Sequence, residues 1–349
     1  MSLKAKDIAQ MLGVSTATIS LVLNNKPGVG EQKRQEIIEK IRELGCDHLL
    51  KDVPVINGNI GFVVYKTVGR IIDESPFFTY ILEGLNNSLS GYGYNLSFVY
   101  MNKDTDVEIQ KTQLRTSDCK GFIIFGVEMK RDDLQVFVDS GLPFVVLDNS
   151  FQDSDVDSVA INNSQGISKV MQYCYEMGHR RIGYIRCRDR ITSFEERYRA
   201  YKRWLGYLGL PFDESLVCDV DYSEQMVRRG IKEYLENINT PPTVFVAEND
   251  FLACSALQGI QDFGYRVPED ISVIGFDDRP ICQMMVPAVT TVNVPKDAFG
   301  ASAVEMLMAK MKTARSYSLK TEIGTRLIER ESVRTVSYTH LTLPTTSRV

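Results

Sequence analysis

The stretch DIAQMLGVSTATISLVLN, Asp7 to Asn24, decides how the chain is read. Ile8, Ala9, Met11 and Leu12 make one apolar stripe, and Ile19, Val22 and Leu23 make a second, both at helical spacing. Between them stands Gly13-Val14-Ser15. Gly13 suits the left-handed residue that closes a helix, and Ser15 suits the N-cap of the next, with its hydroxyl accepting the N–H near Thr18. If this is a helix-turn-helix, the second helix enters the major groove and turns Thr16, Ala17, Ser20 and Leu21 toward base edges. Ser15, Thr18 and Asn24 are then the short polar donors for phosphates. The small side chains of that helix allow close approach to a duplex, but a plain helical hairpin capping a soluble protein also fits.

Moving outward, Ile37, Ile38, Ile41 and Leu44 supply a third helix, stopped by Gly45, so residues 4–45 read as three helices around one small core. Residues 1–51 carry a net charge of +2, which leaves −7 on the rest. A mildly basic head on an acidic body fits a small anion-contacting module joined to something else. From Asn59 the pattern changes. Apolar, β-branched runs (IGFVVY, YNLSFVY, GFIIFG, PFVVLDN, RIGYIR, TVFVAEND and ISVIGFDD) alternate with helix-compatible stretches at 77–91, 164–178, 195–208, 224–237 and 251–264. That alternation means parallel sheet covered on both faces, and about 275 residues predict two α/β lobes with a cleft between them. Ligands in such folds bind beyond the carboxyl ends of the strands, where Asp148, Asn149, Glu248 to Asp250, Asp277 and Asp278 stand.

Composition narrows the function classes. No run of about 18 apolar residues is present and the first ten residues lack a signal peptide's apolar stretch, so a cytoplasmic protein without a membrane partner is expected. Seven cysteines are scattered and never form C-x-x-C, which predicts buried free thiols and no metal site. The three histidines, His48 in a linker, His179 in a surface-like GHRR and His340 in the tail, make no catalytic or zinc pattern. Glu248 and Asp250 read as helix-capping residues in preference to an acid–base pair. No enzyme activity and no cofactor are expected. The single tryptophan, Trp204, reads as a core residue. Residues 336–349 lack any pattern continuous with what precedes them and read as a non-native tail.

The segment KDIAQMLGVSTATISLVLNNKPGVGEQKRQEIIEKIRELG resembles the DNA-binding headpiece of the lactose/galactose repressor family of bacterial transcription regulators. SPFFTYILEGL, GLPFVVLDN, GHRRIGYI, ERYRAYKRWL, ENDFLACSALQGI, VPEDISVIGFDD and PAVTTV follow in family order, so the resemblance spans roughly residues 4–335. It implies an α/β fold with an N-terminal three-helix helix-turn-helix headpiece (1–45), a linker (46–59) and a two-lobed, periplasmic-binding-protein-like domain with parallel sheets (60–335). Lobe 1 would take about 60–161 and 290–322, and lobe 2 about 162–289 and 323–335. The implied function is a homodimeric repressor that reads a near-palindromic double-stranded DNA operator and answers to a small hydroxylated effector, a sugar or derivative. The alternative is a cytoplasmic solute-binding module whose headpiece no longer reads DNA. By the same resemblance Arg197 and Asp277 grip the effector, Asp148 and Asn249 are further polar contacts, and Phe77 stacks on it. The chain departs from the family twice. Leu21 stands where an arginine is usual, and GCDHLLKDVPVINGN (45–59) is about three residues short, with Pro54 inside the expected hinge helix. Leu49, Leu50 or Val55 would have to supply the minor-groove wedge.

Overall fold

The computed structural model describes residues 4–336 apart from 25, 27, 47–48, 51–56, 75–76 and 314. Two units are described separately: residues up to Asn57, with which Gly91–Gly93 group, and the rest. His48, Pro54, Val55, His340 and the tail beyond Val336 lie outside the described residues.

The first unit holds α1 (Ala5–Met11), α2 (Thr16–Leu23) and α3 (Glu31–Glu43). Gly13 takes φ +63° to break α1 from α2, a conformation in which a side chain would be strained. Ser15 Oγ accepts the Thr18 N–H at 3.0 Å, which satisfies a donor that the helix leaves open. The three apolar stripes meet, with Ile8, Ala9, Ile19, Val22, Ile37, Ile38 and Ile41 buried together. Leu49 and Leu50 are half-buried against this same core, where the linker reading had them free to act as a wedge.

The second unit opens with β1 (Gly58–Lys66), α4 (Arg70–Glu74), α5 (Leu82–Gly91), β2 (Tyr94–Asn102), α6 (Val107–Thr116), β3 (Cys119–Phe125), α7 (Gln135–Ser140), β4 (Phe144–Leu147) and β5 (Ser158–Ile161). It continues with α8 (Asn163–Glu176), β6 (Ile182–Cys187), α9 (Thr192–Tyr207), β7 (Val217–Val220), α10 (Glu224–Asn237), β8 (Val244–Ala247), α11 (Asp250–Asp262), β9 (Ser272–Ile274) and α12 (Ile281–Met284). It closes with β10 (Thr291–Asn293), α13 (Lys296–Lys312), β11 (Lys320–Ile323) and β12 (Arg326–Ile328). One all-parallel sheet runs β11-β5-β4-β3-β1-β2, and a second runs β7-β6-β8-β9. A short antiparallel pair, β10 with β12, completes the set.

The period-2 geometry of a strand explains the continuous apolar runs. In β1, Phe62 and Val64 face one buried core while Val63 and Tyr65 face another on the opposite side of the sheet. The chain crosses between the sheets three times: from β5 into α8, from β10 into α13, which packs on β3, β4 and β5, and from β11 into β12. The result is the two-lobed α/β body expected from the sequence, with strand ends of both sheets bordering one cleft.

Two sequence expectations need correction or qualification. His179 is fully buried; its Nδ1 pairs with Thr243 Oγ1 at 2.9 Å, and burial pushes its pKa down to about 4, so the imidazole is neutral. GHRR is a strand entrance, with the histidine turned inward to hold Thr243, just before the neighbouring strand β8. Trp204 is only partly buried, packed on the core edge-on to Tyr207 at 5.5 Å. All seven cysteines are free and buried.

Candidate DNA reader and effector cleft

On α2 the buried face (Ile19, Val22, Leu23) fixes what the other face presents. Thr16, Ala17 and Ser20 are exposed, and Leu21 is half-buried, its Cδ1 3.3 Å from where a Cβ on Gly28 would stand. Thr18 Oγ1 and Ser15 Oγ are hydrogen-bonded at 2.8 Å, and Asn24 Nδ2 donates to the Ser20 carbonyl at 2.9 Å. These polar groups are therefore held in place by local bonds. Exposed Lys4, Lys6 and Lys26 flank the helix, which itself carries no charged side chain.

In the body, one cavity collects all five residues singled out there: Phe77, Asp148, Arg197, Asn249 and Asp277. Each arrives by a different element. Asp148 follows β4, Asn249 follows β8 and Asp277 follows β9, while Arg197 lies in α9 and Phe77 in a 3-10 turn before α5. Asp148 and Asp277 have φ of +66° and +112°, backbone that a side chain takes up only when its surroundings force it, as happens where a functional group must be aimed.

Arg197 is the hub of the cavity. Buried in α9, its Nε donates to Asn163 Oδ1 at 2.8 Å, Nη1 to the Glu248 carbonyl, and Nη2 to Asp277 Oδ1 at 3.3 Å. Its guanidinium plane lies over the Phe276 ring, 3.7 Å from the centroid. The Asn163 amide in turn donates to Glu196 at 2.7 Å, so the orientation of Arg197 is set by a hydrogen-bonded chain. Asp148 is different. It is buried and faces the cavity, and among the described residues no hydrogen bond reaches its carboxyl group. Burial pushes its pKa up to about 8, opposed by the Arg197 charge and reinforced by Asp277 and Glu196. Asp277 is likewise raised by burial, against the pull of Arg197 and Lys296.

Asn249, expected as a ligand contact, lines the cavity and also has two local bonds. Its Oδ1 caps α11 through the Leu252 N–H at 3.0 Å, and its Nδ2 donates to Tyr222 Oη at 2.7 Å. The capping role expected of Glu248 and Asp250 thus falls to Asn249. Glu248 instead takes the Cys187 N–H and Arg190, and its pKa is pushed up to about 7 by burial. Asp250 accepts from the Thr291 hydroxyl and the Arg279 N–H.

Sequence reading missed Tyr222, Phe194 and the apolar wall of Ile71, Ile72 and Ile191. Tyr222 had a usable signal, since it sits just past the carboxyl end of β7, the rule that exposed Asp148. The wall had none: Ile71 and Ile72 are placed by Glu128, whose carboxylate gathers the N–H groups of Thr67, Val68 and Gly69 from 59 or more residues away. Aromatic faces, two carboxyl groups and one guanidinium can take up a small ligand that has both apolar and hydrogen-bonding surface. Among the described residues no group of His, Cys, Asp and Glu could hold a metal ion, and no helix is long and apolar enough to cross a membrane.

A helix-turn-helix unit followed by a two-lobed body with a polar cleft defines a ligand-responsive DNA-binding regulator, and the chain belongs to the LacI family of bacterial regulatory proteins, matched over residues 4–46, with a periplasmic binding protein-like domain matched over 171–333. It is a DNA-binding transcriptional repressor with an effector-binding domain. The HTH-type transcriptional repressor PurR of Edwardsiella ictaluri is 30% identical over 335 residues, 94% of this chain and 96% of that protein. Its counterpart from Pectobacterium carotovorum is 30% identical over 341 residues, again 94% and 96%. Among solved structures, the transcriptional regulator CelR–cellobiose complex superposes with a TM-score of 0.71 at 25% identity, covering 95% of this chain and 99% of that one. A LacI family regulator from Enterococcus faecium with bound ribose shares the fold at a TM-score of 0.67 and 22% identity, over 79% and 100%.

Proposed function

We propose that this repressor binds a neutral, hydroxylated effector of the sugar class in the cleft, and that the effector sets operator affinity. The observation that carries the reading is Asp148, a buried carboxyl group facing the cavity with no hydrogen-bond partner among the described residues, opposite the Arg197–Asp277 pair. A sugar hydroxyl, which both donates and accepts, supplies the missing partner, and neighbouring hydroxyls engage Asp277 and Arg197, while Phe77, Phe194 and Tyr222 cover apolar ring faces. Arg197 is the one cation lining the cavity among the described residues and its three bonds already engage it, so an anionic ligand would find no free positive charge there. The cellobiose bound by the CelR relative supports the same class.

On this reading Ser15, Thr16, Ala17, Thr18, Ser20, Leu21 and Asn24 form the operator-facing surface of each headpiece. The protein works as a cytoplasmic homodimer on a near-palindromic site, because a two-fold dimer matches two-fold DNA. Exposed apolar surface supports self-association: Phe98 and Tyr100 stack on the edge strand β2, and Ile281, Met284 and Val286 cluster around α12. The test is calorimetric titration of the full chain with mono- and disaccharides and with planar nucleobases, followed by operator titration with and without the binder. A saccharide that binds wild type, is lost on Asp148→Ala and shifts operator affinity supports the reading, since the coupling must be reciprocal. Binding of nucleobases but no saccharide overturns it.

A further inference from the structure

The residues available for reading bases are unusually poor in hydrogen-bonding capacity. On α2 the outward positions are Thr16, Ala17, Ser20 and Leu21, and the whole helix, TATISLVL, lacks arginine, lysine, asparagine and glutamine. Those four residue types make the two-bond contacts by which guanine and adenine are usually recognised in the major groove, guanine by Arg or Lys and adenine by Asn or Gln. The nearest amide, Asn24, caps α2 at its far end, with its Nδ2 donating to the Ser20 carbonyl at 2.9 Å. What α2 offers instead is a pair of apolar side chains. Ala17 and Leu21 are four residues apart and so lie on one face, one turn above the other. Leu21 is pinned from behind, its Cδ1 against Gly28, so its position does not depend on a long flexible stem.

We propose that Ala17 and Leu21 read the C5-methyl groups of two pyrimidines in each operator half-site, and that this apolar contact, in place of two-bond recognition of a purine, sets the sequence preference of this repressor. The proposal rests on the operator-reading role given above to α2. The C5 carbon of thymine, or of 5-methylcytosine, projects its methyl into the major groove, where an alanine or leucine methyl can cover it. Ser20 and Thr16, beside them, are short enough to let the helix sit close, and their hydroxyls take either a donor or an acceptor, so they add little discrimination of their own.

The experiment begins with selection of DNA from a random pool by the full-length protein. Each thymine of the enriched site is then replaced singly by deoxyuridine, which removes the methyl and leaves the hydrogen-bonding edge intact. Affinity is read by fluorescence anisotropy at one fixed salt concentration. Burying a methyl-sized group corresponds to about 0.8 kcal/mol, so loss of one contacted methyl should weaken binding about fourfold, and loss of both in a half-site about sixteenfold. Leu21→Ala should bind the thymine site more weakly and respond to deoxyuridine at one position fewer than wild type. Leu21→Met, which keeps an apolar contact, should still respond, which separates loss of the methyl contact from damage to the fold. A second arm replaces each contacted thymine–adenine pair by 5-methylcytosine–guanine or by cytosine–guanine. Better binding of the methylated form assigns recognition to the methyl itself, while equal binding of the two overturns it. An enriched site that tolerates deoxyuridine at every position overturns the methyl reading and leaves operator recognition standing. If no sequence is enriched, the operator-reading role of α2 fails, and this proposal with it.

Discussion

Replacing Arg197 by methionine tests the centre of the cleft most severely. Methionine matches the stem in length and can stay packed on Phe276, so the change removes the charge and its three bonds with little loss of volume. Left behind are Asn163 Oδ1, the Glu248 carbonyl and, above all, the buried carboxylate of Asp277. Breaking one side of a buried pair costs about 3–5 kcal/mol, mainly because the other charge stays desolvated. At roughly 2–4 °C per kcal/mol for a body of this size, the melting temperature should fall by roughly 6–20 °C. The deficit should also depend on pH. Asp277 and Asp148 both have raised folded pKa values, and Arg197 is the charge that pulls them down, so without it they rise further. A carboxyl raised in the folded state contributes stability that is complete below its ordinary value near 3.8 and is lost as pH climbs through the folded value. The gap between variant and wild type should therefore widen as pH rises, for Asp148 above about 8, where the wild-type carboxyl ionises before the variant's, in differential scanning calorimetry. Adding Asp277→Asn removes the stranded charge and should return at least about 1 kcal/mol, a coupling typical of residues in direct contact. A single variant within about 0.5 kcal/mol of wild type, or a deficit that ignores both pH and the second substitution, refutes the assignment of Arg197 as the charge that holds the cleft together.

Wild-type protein itself should melt at progressively lower temperature from pH 6 to pH 9, as Asp148 (about 8) and Glu248 (about 7) lose their protons, and Asp148→Asn should flatten that slope while weakening effector binding; an unchanged slope in the variant would place the titration elsewhere. Gly166→Ala puts a Cβ 2.5 Å from the Phe276 ring that supports Arg197, so titration calorimetry should show effector affinity falling together with stability, and a variant that melts lower but binds normally would separate the ring from the site. Ser15→Ala removes the acceptor of the Thr18 N–H and should cost the headpiece about 1 kcal/mol, seen as faster amide exchange in α2 with the body's exchange unchanged.

Local chemistry carried a large part of this protein into its sequence. Helical spacing of Ile8, Ile19, Val22, Ile37 and Ile41, a glycine that alone takes its backbone angle without strain, and a serine at a helix start suffice to predict three helices and the turn between two of them. Continuous apolar runs ending in Asp148, Glu248 and Asp277 likewise announce parallel strands with polar carboxyl ends. What a residue does once it gets there is decided by partners distant in the chain, and spacing carries no record of them. Glu248 looks like a cap until Cys187 and Arg190 reach it from β6 and the loop after it, while Asn249 turns out to cap α11 through Leu252 and to hold Tyr222 as well as to line the cavity. His179 looks exposed until Thr243 closes over it. Asp148 differs from these residues in having no such partner among the described residues, and only the packed tertiary structure, by burying its carboxyl group at the cavity wall, raises its pKa and leaves it facing the site.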